Sequence, residues 1–349
     1  MGESKSRFKK MLTTEFYLLI FLVAILVIMK AAAPDFYSVN NIMTVLNYFS
    51  YLLIAAIGMN LIIITSNIDV AAGSIISVVA IVIAFVGKTG APLPVFLIAG
   101  MGTGLVLSWL NGLFITKLNI PAIVATLATT QLFIGALPLV VEGSIYDLPA
   151  SFTWLAFQAK IFGVIPASVA FAAVITAGFM LFMRYSRFSK KLYAVGNNKH
   201  AATLTGINVN KMMVLAFAIA GPLYGICGTI IATAGQRVTT TMGNGFEMTI
   251  IAAVVLGGTS ISGGSGKIIG TVLGAFILSL ITPAMNYIGL SSDWSDAVMG
   301  AIILLAVIVA SISTLTKNKK VIIVPDQGAA SPEAQAQTAP VGTAAPEVK

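Results

Sequence analysis

The 349-residue sequence contains few charged residues, and this scarcity excludes a water-soluble fold. Only 9% of the residues are Asp, Glu, Lys or Arg, whereas 58% are hydrophobic. A soluble domain carries roughly 25% charged residues, so this chain cannot cover a core with a water-compatible surface. The apolar runs continue unbroken over helix-spanning lengths, which excludes the alternating pattern of a transmembrane β-barrel. The composition therefore predicts an all-α polytopic membrane protein.

Residues that perform covalent chemistry or bind metals are equally scarce. The single cysteine, Cys227, lies in an apolar segment, so the chain cannot form an internal disulfide and Cys227 is predicted to be a small buried filler. The single histidine, His200, lies in a basic loop without the neighbouring acid or cysteine that catalysis requires. The sequence therefore predicts no catalytic residue, no metal site and no cofactor.

Acidic residues are almost absent from the apolar segments. Asp69 and Glu247 are predicted at the ends of spans, and Asp293 and Asp296 near the outer end of the last span. Carriers that are coupled to protons or sodium usually place carboxylates at the bilayer midplane. We therefore expect that transport by this chain would draw its energy from a source other than an ion gradient, and a stand-alone secondary carrier or facilitator is the alternative.

The sequence contains about ten apolar segments, predicted to be transmembrane or re-entrant helices. A span needs about 20 apolar residues to cross ~30 Å of hydrocarbon. The eighth segment is too short to cross comfortably and is predicted to be a half-helix or re-entrant piece, so eight or nine spans are also compatible. The segments are 16–33, 41–65, 70–87, 92–116, 121–141, 164–183, 212–232, 246–258, 267–289 and 296–314.

The net charge of +8 is distributed over the loops and does not form a nucleic-acid-binding patch. If the N-terminus is cytoplasmic, and leaving aside the terminal Lys349, fifteen basic residues lie inside and only Lys30, Lys88, Lys160 and Arg237 lie outside. This asymmetry predicts a multi-pass membrane protein with both termini in the cytoplasm. The predicted regions are a basic N-terminus (1–15), a transmembrane domain (16–320) and a disordered cytoplasmic tail (321–349).

A glycine-rich turn joins two apolar segments between Ile250 and Ala275. Glycine tolerates positive φ and close backbone approach, so this stretch is predicted to be a packing hinge. Gly270 and Gly274 share one helix face, where another helix can come close. The turn resembles the end of a phosphate loop, but Ile268 stands where a hydroxyl is needed. The hinge glycines are Gly257, Gly258, Gly263, Gly264, Gly266, Gly270 and Gly274.

Uncharged polar residues within the apolar segments are candidates for lining a passage. Thr126, Thr129 and Thr130 recur at spacings of three and four, so they share roughly one helix face. Such a hydroxyl stripe either bonds a neighbouring helix or lines a wet passage for an uncharged solute. Asp69 is also well placed to cap the third helix. The predicted path residues are Asn60, Asn67, Asp69, Ser74, Asn111, Thr126, Thr129 and Gln131.

The longest hydrophilic internal stretch is the loop 184–211, which carries six basic residues and no acid. Topology anchoring alone would account for the charge. However, the helix-forming run 201–204 lies between Gly196 and Gly206, which is more structure than an anchor requires. The loop therefore predicts a small helix at the inner surface that docks a cytoplasmic partner.

With these regions in view, the chain resembles the membrane subunits of bacterial sugar ABC importers. The matching branch carries ribose, arabinose, galactoside, rhamnose and the furanose signal autoinducer-2. The resemblance covers residues 40 to about 313, and three stretches carry it: 68–74, 193–209 and 252–266. The paired glycines around a Thr-Ser turn in 252–266 are specific to sugar-type members. The related branched-chain amino-acid permeases usually lack that spacing and stand as the alternative.

The resemblance implies an ABC importer permease fold in which loop 193–206 is the coupling helix that meets the ATP-hydrolysing subunits. Three positions depart from the usual pattern: Lys199 replaces a common glutamate, Thr203 an arginine often seen there, and Asn67 a glycine. The stretches 120–127 and 293–296 are most similar to the autoinducer-2 importers, with ribose and rhamnose systems close behind. The coupling residues carried over are Tyr193, Gly196, Asn198, Ala202, Thr203 and Gly206.

The resemblance also implies partners. They are ABC ATPase subunits that hydrolyse ATP in place of this chain, a periplasmic sugar-binding protein, and a second permease subunit that is identical or a sister chain. Membrane lipid surrounds the assembly, and no nucleic acid is expected.

Overall fold

The computed structural model describes residues 14–146, 148–149, 152, 160–161, 165–235 and 237–289, with isolated positions between 294 and 304. Over these residues the chain forms eleven α-helices, and a 3-10 turn (Pro34–Tyr37) follows the first. The predicted tail 321–349 lies outside the described residues, as does most of the predicted segment 296–314. The helices are α1 (Thr14–Ala32), α2 (Val39–Ile64), α3 (Ala72–Lys88), α4 (Leu93–Lys117), α5 (Ala122–Val140), α6 (Ala167–Tyr185), α7 (Arg187–Asn197), α8 (Lys199–Leu204), α9 (Val209–Thr233), α10 (Phe246–Leu256) and α11 (Ile268–Tyr287).

Six of these helices are long and apolar enough to cross a membrane: α2, α4, α5, α6, α9 and α11. Shorter apolar helices are α3, α10 and the stretch Leu18–Ala32 of α1. The prediction of an all-α polytopic membrane protein is confirmed, whereas the exact count of ten stays a prediction. Two antiparallel ladders join the loops, β1 (Ser144–Ile145) with β4 (Val238–Thr239) and β2 (Lys160–Ile161) with β3 (Ile165–Pro166).

Helix α2 is the most deeply buried helix among the described residues. From Leu52 to Ile64, its side chains are at most 3% exposed. A helix that is apolar on all sides must be enclosed by other helices, and α9, α11, α6 and α10 pack around it. Cys227 of α9 is buried in the same core, as its apolar surroundings predict.

Helices α4 and α9 pack antiparallel through glycines. Gly104 lies against Gly221, and Gly100 lies against Gly225, with no room for a β-carbon at any of the four positions. The Ser108 hydroxyl donates a hydrogen bond of 2.8 Å to the carbonyl oxygen of Phe217. Small residues allow this close backbone approach, which is common between membrane helices.

Helices α3 and α10 both begin inside the bundle. A β-carbon on Gly228 of α9 would touch Val79 and Ile76 of α3, so the first residue of α3 lies near the level of Tyr224, close to the middle of α9. Helix α10 has 11 residues and is ~16 Å long, about half the thickness of the hydrocarbon layer. The two N-termini meet where Gly73 contacts the 243–247 segment.

The position of these N-termini corrects one sequence prediction. Asp69 and Glu247 were expected at the ends of spans, but they lie in the interior of the bundle, beside the first turns of α3 and α10. The expectation is wrong because an apolar run does not reveal at which depth its helix begins. The length of α10 does confirm that the eighth segment is too short to cross the membrane.

Helices α2, α3 and α4 form one triplet and helices α9, α10 and α11 form a second, and the two triplets follow the same packing scheme in opposite directions. Helix α4 packs on α9 as α11 packs on α2, and α3 packs on α9 as α10 packs on α2. From the centre, α10 runs to the end of the bundle where Ile64, Asn197 and Gly264 meet, which we call the junction end. Helix α3 runs the other way. Gly87 near its end and Phe96 near the start of α4 both contact Phe152, so α3 is antiparallel to α4 and therefore parallel to α9, which begins at the junction end.

Candidate coupling surface and polar interior

Loop 184–211 folds into two helices, of which the second was predicted. Helix α8 (Lys199–Leu204) confirms the expected short helix, whereas α7 (Arg187–Asn197) was not anticipated. The Asn198 side chain caps α8 by accepting the N–H of Ala201 at 2.9 Å. Ser186 caps α7 in the same way, by accepting the N–H groups of Phe188 and Ser189.

The other end of α8 is closed by Gly206. Its φ of 80° is left-handed, its N–H donates to the carbonyl of Thr203 at 2.9 Å, and the N–H of Ile207 donates to Ala202 at 3.1 Å. This pair of bonds is a Schellman motif. Capping at both ends explains how six residues hold a helix that would not be stable alone.

The α7–α8 pair has an apolar inner face and a basic outer face. Leu192, Val195 and Ala202 are buried, and Leu204 is 77% exposed. Among the coupling residues expected from the resemblance, Gly196 and Ala202 are buried and Tyr193 is half-buried, whereas Asn198, Thr203 and Gly206 are exposed. The exposed basic side chains are those of Arg187, Lys190, Lys191, Lys199 and Lys211.

Three chain segments meet under this surface, and we call their meeting point the coupling junction: residues 64–66, 193–197 and 262–266. The hydroxyl oxygen of Ser66 lies 3.0 Å from the carbonyl oxygen of Gly196 and 2.7 Å from that of Ser262. The N–H of Gly264 donates to the carbonyl of Ile64 at 2.9 Å. Ser66 has a φ of 61°, which is uncommon for a residue other than glycine.

Tyr193 adds a further link to the coupling junction. Its phenol donates a hydrogen bond of 2.7 Å to the carbonyl oxygen of Gly266. Burial raises the pKa of Tyr193 above its ordinary value, because the charged phenolate would lose hydration. The phenol therefore remains a donor at neutral pH.

The hinge glycines are required by the close approach of α10 and α11. Gly270 lies against the backbone of Gly257, and Gly274 lies against Ala253, which confirms that another helix packs on this face. Gly258, Gly263 and Gly264 have left-handed φ values of 85°, 83° and 70°. Gly266 packs against Thr259. A role of these glycines in movement stays a prediction.

Most of the predicted path residues are buried and bonded inside the bundle. The Asn60 amide donates to the hydroxyls of Thr259 at 2.7 Å and Thr271 at 2.8 Å. Asn67 bonds Thr65, and Ser74 donates to the carbonyl of Ala71. These bonds join α2 to the hinge and close the turns before α3.

The threonine face of α5 is also turned into the bundle. The Thr126 hydroxyl donates to the carbonyl of Ala122 at 2.8 Å and accepts the N–H of Val70 at 3.2 Å. Thr129 donates to the carbonyl of Thr126. This supports inter-segment bonding more than a wet passage. Gln131 is not brought together with these residues, because its side chain is exposed on another face of α5.

Four buried polar atoms have no hydrogen-bond partner in the described part of the chain. They are Oδ1 of Asn60, Oδ2 of Asp69, and Oδ1 and Nδ2 of Asn111. The other oxygen of Asp69 accepts the N–H of Ala71 at 3.0 Å. Ala71 is the N-cap residue of α3, so Asp69 closes the turn before the helix and does not cap it as the sequence suggested.

Two residues that the structure makes prominent were missed as candidates from the sequence. Ser66 follows an apolar run without any local motif, and nothing in the sequence indicates that it contacts residues 196 and 262. Glu247 was noted as an acid but was placed at the end of a span. A depth signal could have come only from the length of the run 246–256, which is too short to cross.

The helices, their apolar surfaces and their length define a multi-pass helical membrane protein. Residues 41–307 match the family described as "Branched-chain amino acid transport system / permease component". The chain belongs to this permease family. It is not similar to any solved structure at a significant level.

Relatives of the chain include permeases named for the import of ribose and of autoinducer 2. The chain is 32% identical to the ribose import permease protein RbsC of Escherichia coli K12, over 83% of this chain and 92% of that protein. It is 34% identical to the autoinducer 2 import system permease protein LsrC of Enterobacter sp. strain 638, over 81% of this chain and 82% of that one. The RbsC of Haemophilus influenzae is 31% identical over 82% and 90%. The resemblance to sugar ABC importer permeases is therefore confirmed at the level of the family.

Proposed function

We propose that this chain is the permease subunit of an ATP-driven importer that moves an uncharged sugar or sugar-like furanose across the inner membrane. The observation that carries the proposal is the similarity to ribose and autoinducer-2 import permeases over more than four fifths of the chain. Those relatives are permeases, and the proposal gives this chain the same part: it forms the passage and hydrolyses nothing.

The α7–α8 surface supports coupling to an ATPase. Helix α8 is capped at both ends, presents Leu204 to the outside and is surrounded by exposed basic residues. A rigid knob of this kind fits into a groove of a partner, and an apolar centre with a charged rim is typical of protein interfaces. ATPase subunits would dock here on the cytoplasmic side, so both termini of the chain are proposed to be cytoplasmic as well.

The coupling junction supports transmission from that surface into the bundle. Helix α7 is bonded at its C-terminal end both to the end of α2 and to the glycine turn before α11. A displacement of α7–α8 would therefore move both the segment that leads into α3 and the turn that follows α10. A second permease subunit would complete the passage, and a periplasmic binding protein would deliver the sugar.

The docking role is tested by co-purification of the chain with the ATPase encoded beside it. Leu204→Asp should abolish co-purification, because it places a charge at the apolar centre of the interface. Leu118→Asp is the matched control: Leu118 is 62% exposed and follows α4 at the same end of the bundle. Loss of the ATPase from both variants, or from neither, would contradict docking at α8.

The transport role is tested in a strain that lacks this gene. Uptake of at least one of ribose, rhamnose and autoinducer-2 should fall to background and return with the wild-type gene. Unchanged uptake of all three would sink the importer proposal. The stand-alone carrier predicts uptake into proteoliposomes without ATP or any partner, and the importer predicts none.

A further inference from the structure

The segment between β4 and α10 is irregular backbone at membrane depth. It leads from Thr239 into the centre of the bundle, where the N–H of Gly243 donates to the hydroxyl of Ser77 at 2.9 Å. Gly243 also lies against the carbonyl of Gly73 in the first turn of α3. Non-helical backbone at this depth is tolerated only where protein buries it or where it lines a water-filled cavity.

The two irregular segments beside the half-helices differ in exposure. The segment before α3, residues 65–71, is buried except for the half-buried Ser66 and Ile68. The segment before α10 is open: Thr241, Asn244 and Gly245 are exposed. The first segment is therefore the case buried by protein, whereas the described part of the chain leaves the second uncovered, as the wall of a water-filled cavity would be.

Glu247 lies at the same depth and on the same surface. Its side chain is half-buried, and one carboxylate oxygen lies against Gly73 in the first turn of α3. The neighbouring Met248 is 48% exposed. A carboxylate next to an exposed surface at this depth faces a bundle interior or a water-filled cavity, because contact with lipid is costly.

An aromatic cluster forms an apolar wall beside this surface. The ring of Phe246 lies 6.2 Å from that of Tyr48 and 5.8 Å from that of Tyr51. All three rings are half-buried. Ligand sites combine apolar and aromatic walls with a few polar groups that fix orientation. A carboxylate only accepts hydrogen bonds when ionised, so its ligand here is a solute with hydrogen-bond donors, which the hydroxyl groups of the proposed sugar supply.

We infer that residues 241–248 line the aqueous passage and that Glu247 binds hydroxyl groups of the transported sugar. The second half of this inference rests on the proposed function. It moves the passage away from the buried residues expected from the sequence, such as Asn60 and Asn111, to the surface where the two half-helices meet.

Thiol labelling tests the passage independently of the transported solute. In a Cys227→Ala background, Asn244→Cys should react with a charged, water-soluble methanethiosulfonate more than about tenfold faster than Val174→Cys, because the reactive thiolate forms in water. Val174 is the matched control, since it is 71% exposed on the middle of α6. Equal rates at the two positions would overturn the aqueous passage.

Protection by sugar tests the role of Glu247. In cells that take up ribose, ribose should slow the labelling of Asn244→Cys, and Glu247→Gln should remove this protection while the unprotected labelling rate stays the same. Rhamnose provides a second probe in the same cells. A sugar that is taken up but gives no protection would show that Glu247 does not bind it. If neither sugar is taken up, the proposed function fails and the role of Glu247 fails with it, but the labelling contrast between Asn244 and Val174 stands or falls by itself.

Discussion

The hydroxyl oxygen of Ser66 lies 2.7 Å from the carbonyl oxygen of Ser262, on a segment 196 residues away in the chain. The same hydroxyl lies 3.0 Å from the carbonyl of Gly196 at the end of α7. A serine has one hydroxyl proton, so a single donor serves two carbonyls that belong to different segments. Ser66 is thus placed to hold the surface helices and the glycine turn together.

Replacement of Ser66 by glycine should loosen the coupling junction without adding backbone strain. Glycine accepts the left-handed φ of 61°, so Ser66→Gly removes the hydroxymethyl side chain, and with it the hydroxyl, without straining the backbone. We expect faster amide hydrogen exchange in both 193–198 and 262–266, and more ATP hydrolysed per sugar transported. Ser279→Ala is the control, because that hydroxyl bonds only within its own helix, to the carbonyl of Phe276. Faster exchange in only one of the two segments would contradict a shared link.

Replacement of Tyr193 by phenylalanine should weaken the same junction. The variant keeps the ring and leaves the carbonyl of Gly266 without its donor, at a cost of about 1 kcal/mol. Because Ser66 and Tyr193 act on one glycine turn, the double variant with Ser66→Gly should deviate from additivity. Unfolding in detergent measures the stability of all three variants. Strictly additive losses would show that the Ser66 and Tyr193 hydrogen bonds act independently.

The pH dependence of this bond has a defined direction. The pKa of Tyr193 is raised in the folded protein, so its contribution to stability is complete below the ordinary pKa of a tyrosine, about 10. It is lost as the pH rises through the folded-state pKa. The stability difference between wild type and Tyr193→Phe should therefore be constant from pH 6 to 9, roughly four units and one unit below that value. A difference that shrinks across this interval would contradict a phenol donor.

The end of α8 provides a test that separates backbone strain from side-chain size. Gly206 has a φ of 80° and open space around it, so a side chain fits but its backbone conformation is disfavoured. Gly206→Val should cost about 1–3 kcal/mol locally, unravel α8 and reduce ATPase co-purification. Gly206→Asn should be tolerated, because asparagine adopts this conformation several-fold more often than most residues. Equal loss in both variants would point to steric exclusion by the partner instead.

Most helices of this chain could be predicted from its sequence, because their apolar runs are long and end at polar, glycine or proline residues, whereas the basic helix α7 was not anticipated. The short helix α8 could also be predicted, since its flanking Gly196 and Gly206 are local signals. Depth could be predicted only for α10, whose run 246–258 is too short to cross, whereas the run 70–87 gives no sign that α3 begins in the centre of the bundle. Helices α2, α3 and α4 pack in the same scheme as α9, α10 and α11, but no repeat could be recognised in the sequence. Many different apolar side chains satisfy the same packing.

The polar residues of the candidate site could likewise be predicted from the sequence only in part. Thr126 and Asn60 were recognisable as polar groups in apolar runs, but only the fold shows that their hydroxyl and amide groups bond other segments. Ser66 gave no signal, because its partners are remote in sequence. Glu247 had the chemistry of a ligand group, and the fold supplied its depth and exposure.

The contact between α4 and α9 leads to the sharpest stability contrast in the chain. A β-carbon on Gly104 would lie 2.9 Å from the backbone nitrogen of Gly225 and closer still to the carbonyl of Gly221, and neither backbone atom can move aside cheaply. Gly104→Ala should therefore separate the two helices at a cost of about 1–3 kcal/mol.

Gly102 is the matched control for that substitution, on the same helix and half a turn away. No atom lies within 4 Å of a β-carbon placed there, so Gly102→Ala carries no packing penalty. Alanine favours a helix over glycine by about 1 kcal/mol, and this gain is common to both variants. Thermal unfolding in detergent should show a lower Tm than wild type for Gly104→Ala and an equal or higher Tm for Gly102→Ala. Two variants with the same Tm would mean that α4 and α9 are not held at the backbone separation that their glycines allow.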